Sequence, residues 1–360
     1  MLNSTIFWAI VVLGALIFVH ELGHFLVARL FRVKVLVFSL GFGPRIWSWR
    51  SAPEATEYQL AAIPLGGYVK MLGESSDEAD PISEADRPFA FSSKPVLPRF
   101  CIVLAGPVFN FLFAICAITA ANMLGVGELL PVIGSLSDGM PAQEAGLRPG
   151  DRITFVGDQP VDRWETMSRI IKKGRGDPIE LTVMRAEKSF QVSIRPRVQE
   201  VPNPFGEPVR QVLIGILPGD KDVVVRYPFW QALGNGITHT GQMTELMATG
   251  IWKIITRVVS PKEIGGPILI AELAGQAARQ GTTNLLFFMA MISVNLGILN
   301  LLPVPILDGG HLMFLTVEGI LGRGLNEKTL LYATRAGVAF IVALMSLAFY
   351  NDIARYFSGH

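Results

Sequence analysis

Residues 5–31 read TIFWAIVVLGALIFVHELGHFLVARLF. From Thr5 to Val19 this stretch carries no ionisable side chain; then His20, Glu21, His24 and Arg29 interrupt it. A helix needs about 20 mostly apolar residues to cross a bilayer, so the stretch reads as a membrane span. Ionisable groups at membrane depth are costly and turn toward a polar interior, so it also reads as one wall of a functional site. Met1 to Ser4 carry no charge and no small-residue cleavage site follows, so the span is expected to be retained rather than removed as a leader.

The rest of the 360 residues agrees with a membrane protein. Half are apolar and only 17% are charged, against about 25% charged in soluble domains, and the mean hydropathy is +0.42. A net charge of +1 leaves no basic field to hold nucleic acid. Phe100–Leu124 is a second uncharged span. Gly281–Leu307 is a third, and its apolar run continues through Asp308 to Val317. Ala336–Tyr350 is a shorter fourth, bounded by Arg335 and Asp352. Cys101 and Cys116 share the second span, about 22 Å apart along a helix axis and beyond disulfide reach.

Lys and Arg accumulate between the first two spans and again between the last two, which predicts that residues 32–99 and 319–334 are cytoplasmic. The acidic run Glu74–Asp86 does not oppose this, because acidic residues count little in that rule. The long 126–280 insert then faces outward. Within it, Ile153–Val156, Ile179–Val183 and Phe190–Ile194 read as short strands, with helical stretches near Ala142 and from Arg163 to Lys172. The turn Gly146-Leu-Arg-Pro-Gly-Asp151 feeding an apolar strand resembles a bacterial PDZ domain. Residues 202–218, rich in proline, read as a linker. Beyond them Trp230 to Val258 carries apolar residues at helical spacing, as one amphipathic helix or two broken near Gly250. The expected divisions are 1–125, 126–200 for the PDZ domain, 201–280, and 281–360.

His20-Glu21-Leu22-Gly23-His24 carries the chemistry. On a helix, positions four apart share a face, so both imidazoles reach one metal, and Glu21 stands beside it as a base. Shuffling this composition would yield the motif in about three chains per thousand. Zinc in a hydrolytic site takes three protein ligands. His239 and His360 lie on the opposite side of the membrane by the predicted orientation. Asp308, in Asn300-Leu-Leu-Pro-Val-Pro-Ile-Leu-Asp308, and His311 compete for the third place. Pro303 and Pro305 make the backbone there irregular, leaving carbonyls without helical partners.

His20-Glu21-x-x-His24 together with Asn300-x-x-Pro-x-Pro-x-x-Asp308-Gly resembles the site-2 protease family of intramembrane zinc metalloproteases. Gly41-Phe-Gly-Pro44, Ile63–Lys70, Gly106-Pro-x-x-Asn110, the run 265–268 and the outward PDZ insert resemble its bacterial RseP-like branch, here with room for a single PDZ domain. The resemblance covers nearly the whole chain. It implies a polytopic α-helical membrane protein of about four spans, with a membrane-associated β-hairpin over residues 38–71 and one periplasmic α+β PDZ domain. It implies Zn2+ held by His20, His24 and Asp308, Glu21 as general base, and Asn300, Pro303, Pro305 and Tyr68 near the substrate. The implied substrates are single-pass membrane proteins cut after a first cleavage, such as anti-sigma factors, and remnant signal peptides. The implied place is a bacterial inner membrane, with the active site toward the cytoplasm. The PDZ domain would take a substrate C-terminus or no ligand. A catalytically silent PDZ scaffold is the rival reading, and an intact Glu21 argues against it. A metal transporter is another, but the repeated halves usual in transporters are missing.

Overall fold

The computed structural model describes residues 2–74, 82–174 and 176–358; His360 and residues 75–81 of the acidic run lie outside them. The chain divides into two compact units, residues 1–121 with 228–360, and residues 122–227. Among the described residues four helices are long and apolar enough to cross a membrane, at 26, 29, 19 and 30 residues.

The first unit begins with α1 (Leu2–Leu30). Its end is a Schellman closure. Arg32 takes φ 56°, Val33 N–H bonds the Ala28 carbonyl at 2.8 Å, and Arg32 N–H bonds that of Arg29 at 3.0 Å. The chain therefore turns at once into β1 (Val35–Trp49), which pairs antiparallel with β2 (Glu57–Met71). Val37–Leu40 is partnered by both Gly67–Lys70 and Glu57–Leu60, and β1 bends at Gly41. Gly41 has φ 96°, and a Cβ there would meet the Ile63 carbonyl oxygen at 2.8 Å, so a side chain is excluded twice over. The root of the hairpin packs Val35, Phe38, Val69 and Met71 against Phe25 and Ala28 of α1 and against Ile102. Ile102 belongs to α2 (Val96–Leu124), which carries Pro107 in its interior.

The second unit contains β3 (Val126–Leu129), β4 (Ile133–Leu136), α3 (Pro141–Glu144), β5 (Arg152–Val156), β6 (Gln159–Pro160), α4 (Trp164–Lys173), β7 (Ile179–Arg185), β8 (Lys188–Ile194), β9 (Arg197–Pro202), β10 (Pro208–Leu213), β11 (Ile216–Pro218) and β12 (Asp222–Val225). Its main sheet runs β6-β5-β7-β8, and β9 pairs β10, β4 pairs β11 and β3 pairs β12. Ile133, Leu147, Ile153, Met167, Leu181, Val183 and Ile194 form its core. The short strands and helices fall where the sequence puts them. Residues 202–218 differ: the expected linker carries β10 and β11, and the unit extends to Tyr227 rather than stopping near 200. Pro202, Pro208 and Pro218 sit at strand ends, where a missing N–H costs no ladder bond.

Asp151, at the end of the Gly146–Asp151 turn, is buried and takes a forked bond from Arg185, at 2.7 Å to each oxygen. It also accepts from the Arg148 backbone N–H at 2.8 Å. Burial pushes its carboxyl upward, but these donors hold it below the usual range.

The chain re-enters the first unit through α5 (Phe229–Ile255), one helix without a break at Gly250. Then come α6 (Pro267–Gln280), α7 (Thr282–Asn300), α8 (Asp308–Leu321) and α9 (Glu327–Ser358). Met243 and Met247 of α5 pack on Ala114, Ile118, Ala290 and Val294, so α5 lies against the bundle. Ala274 and Ala277 of α6 pack on Val12 and Leu16. The start of α6 is capped from the far end of α9. Asp352 accepts from the N–H groups of Gly266, Ile268 and Leu269 at 2.8, 2.9 and 3.2 Å. Asn351 donates to the carbonyls of Pro261 and Ile264. The helix of the third span ends at Asn300 and α8 restarts at Asp308, so the irregular backbone expected within this apolar run lies between them. Pro303 and Pro305 lie in the break, as their missing N–H groups require.

Candidate metal centre

His20 and His24 are one turn apart on α1 and present Nε2 atoms 3.3 Å from each other. Asp308 brings Oδ2 to 3.2 Å from the first and 3.6 Å from the second. A tetrahedral ion with ligands at 2.0–2.1 Å separates them by about 3.3 Å. The three side chains are 10–18% exposed. Asp308 Oδ2 is a buried oxygen with no hydrogen-bond donor, and the described residues hold this one group of potential metal ligands. Two imidazoles, one carboxylate and an oxygen lacking a donor fit a cation.

Each of the three side chains is placed by local sequence. Pro107 leaves the Val103 carbonyl of α2 without its helical donor. One residue earlier, the Ile102 carbonyl accepts from His24 Nδ1 at 2.8 Å, which keeps the Nε2 lone pair toward the cluster. Gly106 lies against both rings: a Cβ there would fall 2.3 Å from His24 Nε2 and 2.8 Å from His20 Cε1. Gly23 lets α1 approach as closely, since its Cβ would meet the Ala105 oxygen at 2.5 Å. Asp308 stands in the first turn of α8, where the helix dipole favours an anion. Gly309 and Gly310 fold that turn onto the break, their Cβ positions only 2.2 Å from the Leu302 oxygen and 2.3 Å from that of Val304.

The cluster opens into a cavity of about 660 Å³ that is also lined by Glu21, Tyr68, Asn300 and His311. The backbone of β2 runs along it at Gly66–Val69, and a Cβ on Gly67 would sit 3.1 Å from Glu21 Cγ. Tyr68 stacks on Phe42 at 6.3 Å. At the rim Arg99 of α2 makes a forked pair with Glu318 of α8. Of the residues singled out in the sequence, His20, Glu21, His24, Asp308, Asn300 and Tyr68 share this cavity. Pro303 and Pro305 do not line it: Pro303 is exposed, and Pro305 packs against Gly337 of α9. His311 lines the cavity but falls outside the ligand group, and among Asp308 and His311 the carboxylate completes it. Sequence reasoning gave no part to Asn110, which is wholly buried with its amide 3.1 Å from His20 Nδ1. A polar side chain inside an otherwise uncharged span was the available signal.

A membrane protein that brings two imidazoles and a carboxylate together, with the carboxyl group of Glu21 lining the same cavity, has the equipment of a metallopeptidase. The comparisons agree with that class. Residues 8–344 match the profile described as "Peptidase family M50". A Campylobacter jejuni protein named "Putative zinc metalloprotease" is 36% identical over 346 residues, covering 96% of this chain and 92% of its own. "Protease RseP" of Yersinia pestis is 32% identical over 443 aligned positions, covering 96% of this chain and 97% of its own. That alignment is longer than this chain, so the relative carries stretches that this chain lacks. The PDZ domain of an SdrC-like protein from Listeria monocytogenes covers 25% of this chain and 86% of its own, at 23% identity and a TM-score of 0.20, a likeness too loose to define a fold. The chain belongs to peptidase family M50. It is a membrane-embedded metalloprotease.

Proposed function

We propose that the chain is a zinc endopeptidase that cuts single-pass membrane proteins inside or at the edge of their spans, after another protease has removed the ectodomain. The observation that carries this reading is the meeting of His20, His24 and Asp308 within 4.8 Å, with Glu21 in the same cavity. His20 and His24 hold zinc through Nε2 and Asp308 through Oδ2. When bound, zinc polarises the scissile carbonyl and acidifies water. Glu21 takes a proton from the attacking water as its oxygen bonds the carbonyl carbon. It then delivers that proton to the departing nitrogen as the C–N bond breaks. A transmembrane helix keeps its amides in internal bonds, so a substrate must be extended before it is cut. Gly67–Met71 has β1 on one side and the cavity along Gly66–Val69, which suits the addition of an extended segment as a strand. Tyr68 and Asn300 face the same space, and Pro303 and Pro305 shape the break that sets Asp308 and Asn300 at its wall.

The Lys and Arg distribution supports an inner-membrane setting, with the centre toward the cytoplasm and residues 122–227 outside. The strand order and the Gly146–Asp151 turn support a PDZ role for that unit, either sorting substrates by ectodomain size or taking a new C-terminus. The test compares wild type with Glu21→Gln in membranes on a tagged single-pass substrate lacking its ectodomain, with zinc content measured in parallel. Cleavage lost with zinc retained is the expected result. Equal processing by both proteins overturns the hydrolytic reading and favours a silent scaffold.

A further inference from the structure

We propose that Asn110 is a positioning residue that fixes the tautomer of His20, its side-chain oxygen accepting the Nδ1 proton. This rests on the reading of His20, His24 and Asp308 as the ligands. An imidazole that binds a cation through Nε2 must carry its proton on Nδ1, and whatever faces Nδ1 decides whether it does. For His24 that partner is the Ile102 carbonyl, which can only accept. For His20 it is the amide of Asn110.

The amide nitrogen of Asn110 stands 3.1 Å from His20 Nδ1, while Oδ1 is buried with no donor. In that orientation the amide would donate to Nδ1 and drive the proton to Nε2. His20 Nε2 stands 3.3 Å from His24 Nε2 and 3.2 Å from the Asp308 carboxylate, so a proton on it would take the space a cation needs. The two ends of a carboxamide have nearly the same shape, so the surrounding hydrogen bonds choose between them. Turned half a revolution about its last bond, Asn110 gives Oδ1 the Nδ1 proton and leaves the Nε2 lone pair for zinc. The residue is held for this task. It is 0% exposed, and Ser293 of α7, equally buried, donates from Oγ to its backbone oxygen at 2.8 Å. Thus α2 supplies an acceptor to each imidazole, a backbone carbonyl to one and a side-chain amide to the other.

The experiment uses the full chain in detergent micelles, stripped of metal and titrated with zinc against a chromophoric chelator. Asn110→Leu, similar in volume and without an acceptor, is expected to weaken zinc binding about 10- to 100-fold. Asn110→Asp, which keeps an acceptor, should remain within a few fold of wild type, and cobalt absorption should report the same ranking. Leu within twofold of wild type, or Leu and Asp equally weak, overturns the proposal by showing that no hydrogen bond, or only packing, is at stake. If the Leu variant does not fold, 15N-histidine NMR of zinc-loaded wild type decides: a His20 proton on Nδ1 supports the proposal and one on Nε2 overturns it. A wild type that takes up no zinc fails earlier and overturns the ligand reading itself.

Discussion

Both units bury apolar side chains, but they differ in what else they bury and in what they expose. In residues 122–227 the core is built of large apolar side chains, among them Ile153, Leu181, Val183 and Ile194. In the membrane unit many large apolar side chains also point outward: Phe7 is 57% exposed and Phe340 54%. What it buries includes small and polar residues, among them Ala28, Ala274, Asn110 and Ser293. Lipid tails are as apolar as leucine, so burying an apolar side chain between membrane helices gains little, and close approach and hydrogen bonds hold the bundle. The difference teaches where to look for chemistry. In a water-facing unit a buried charge is an exception neutralised on the spot, as Asp151 is by Arg185. In the membrane unit the buried polar groups either close a helix end, as Asp352 does, or gather around His20 and His24.

That contrast can be broken by experiment. The largest effect is expected at Gly106→Val, whose added carbons would occupy the space of His24 Nε2. Zinc binding and cleavage should be lost while hydrogen exchange of β5 and β7 stays at the wild-type rate; retained zinc would mean that α2 yields where it is drawn as rigid. Next come paired truncations. Ile153→Ala should cost about 2–5 kcal/mol in the unfolding of its unit, whereas Phe340→Ala on the outer face of α9 should cost under about 1 kcal/mol. Similar losses in denaturant titrations of the solubilised chain would erase the distinction. The smallest effect is a pH dependence. The Asp151 carboxyl lies below its unfolded value near 4, so its stabilisation is full above that pH and fades as pH falls through the folded value. Amide exchange in β5, corrected for its intrinsic pH dependence, should therefore accelerate as pH falls below about 4 in wild type, and Asp151→Asn should flatten that response.

Much of this architecture was legible in the sequence because a bilayer leaves few options. The four spans, the break at Pro303 and Pro305, and the His20–His24 pair follow from length, missing donors and helical spacing. Helical spacing cannot say which distant carboxylate or imidazole meets such a pair. Asp308 and His311 lie one turn apart on α8, and only the folded chain shows that the carboxylate is the one that meets the pair. The linker expected over 202–218 failed because prolines at strand ends look the same in a row of letters as prolines in a flexible tether. Asn110 was named only within a motif and given no role for another reason: an uncharged polar residue does not disturb a hydropathy window, and the ring it faces is seen only in the fold.

The cap on α6 has a bearing on the order of events during synthesis. A chain is made from its N-terminus onward, so the amides of Gly266, Ile268 and Leu269 emerge well before the carboxylate that will satisfy them. Until Asn351 and Asp352 have been made, the entrance to α6 stands open inside a half-built bundle. The last helix thus closes a lock whose other half was laid down more than eighty residues earlier.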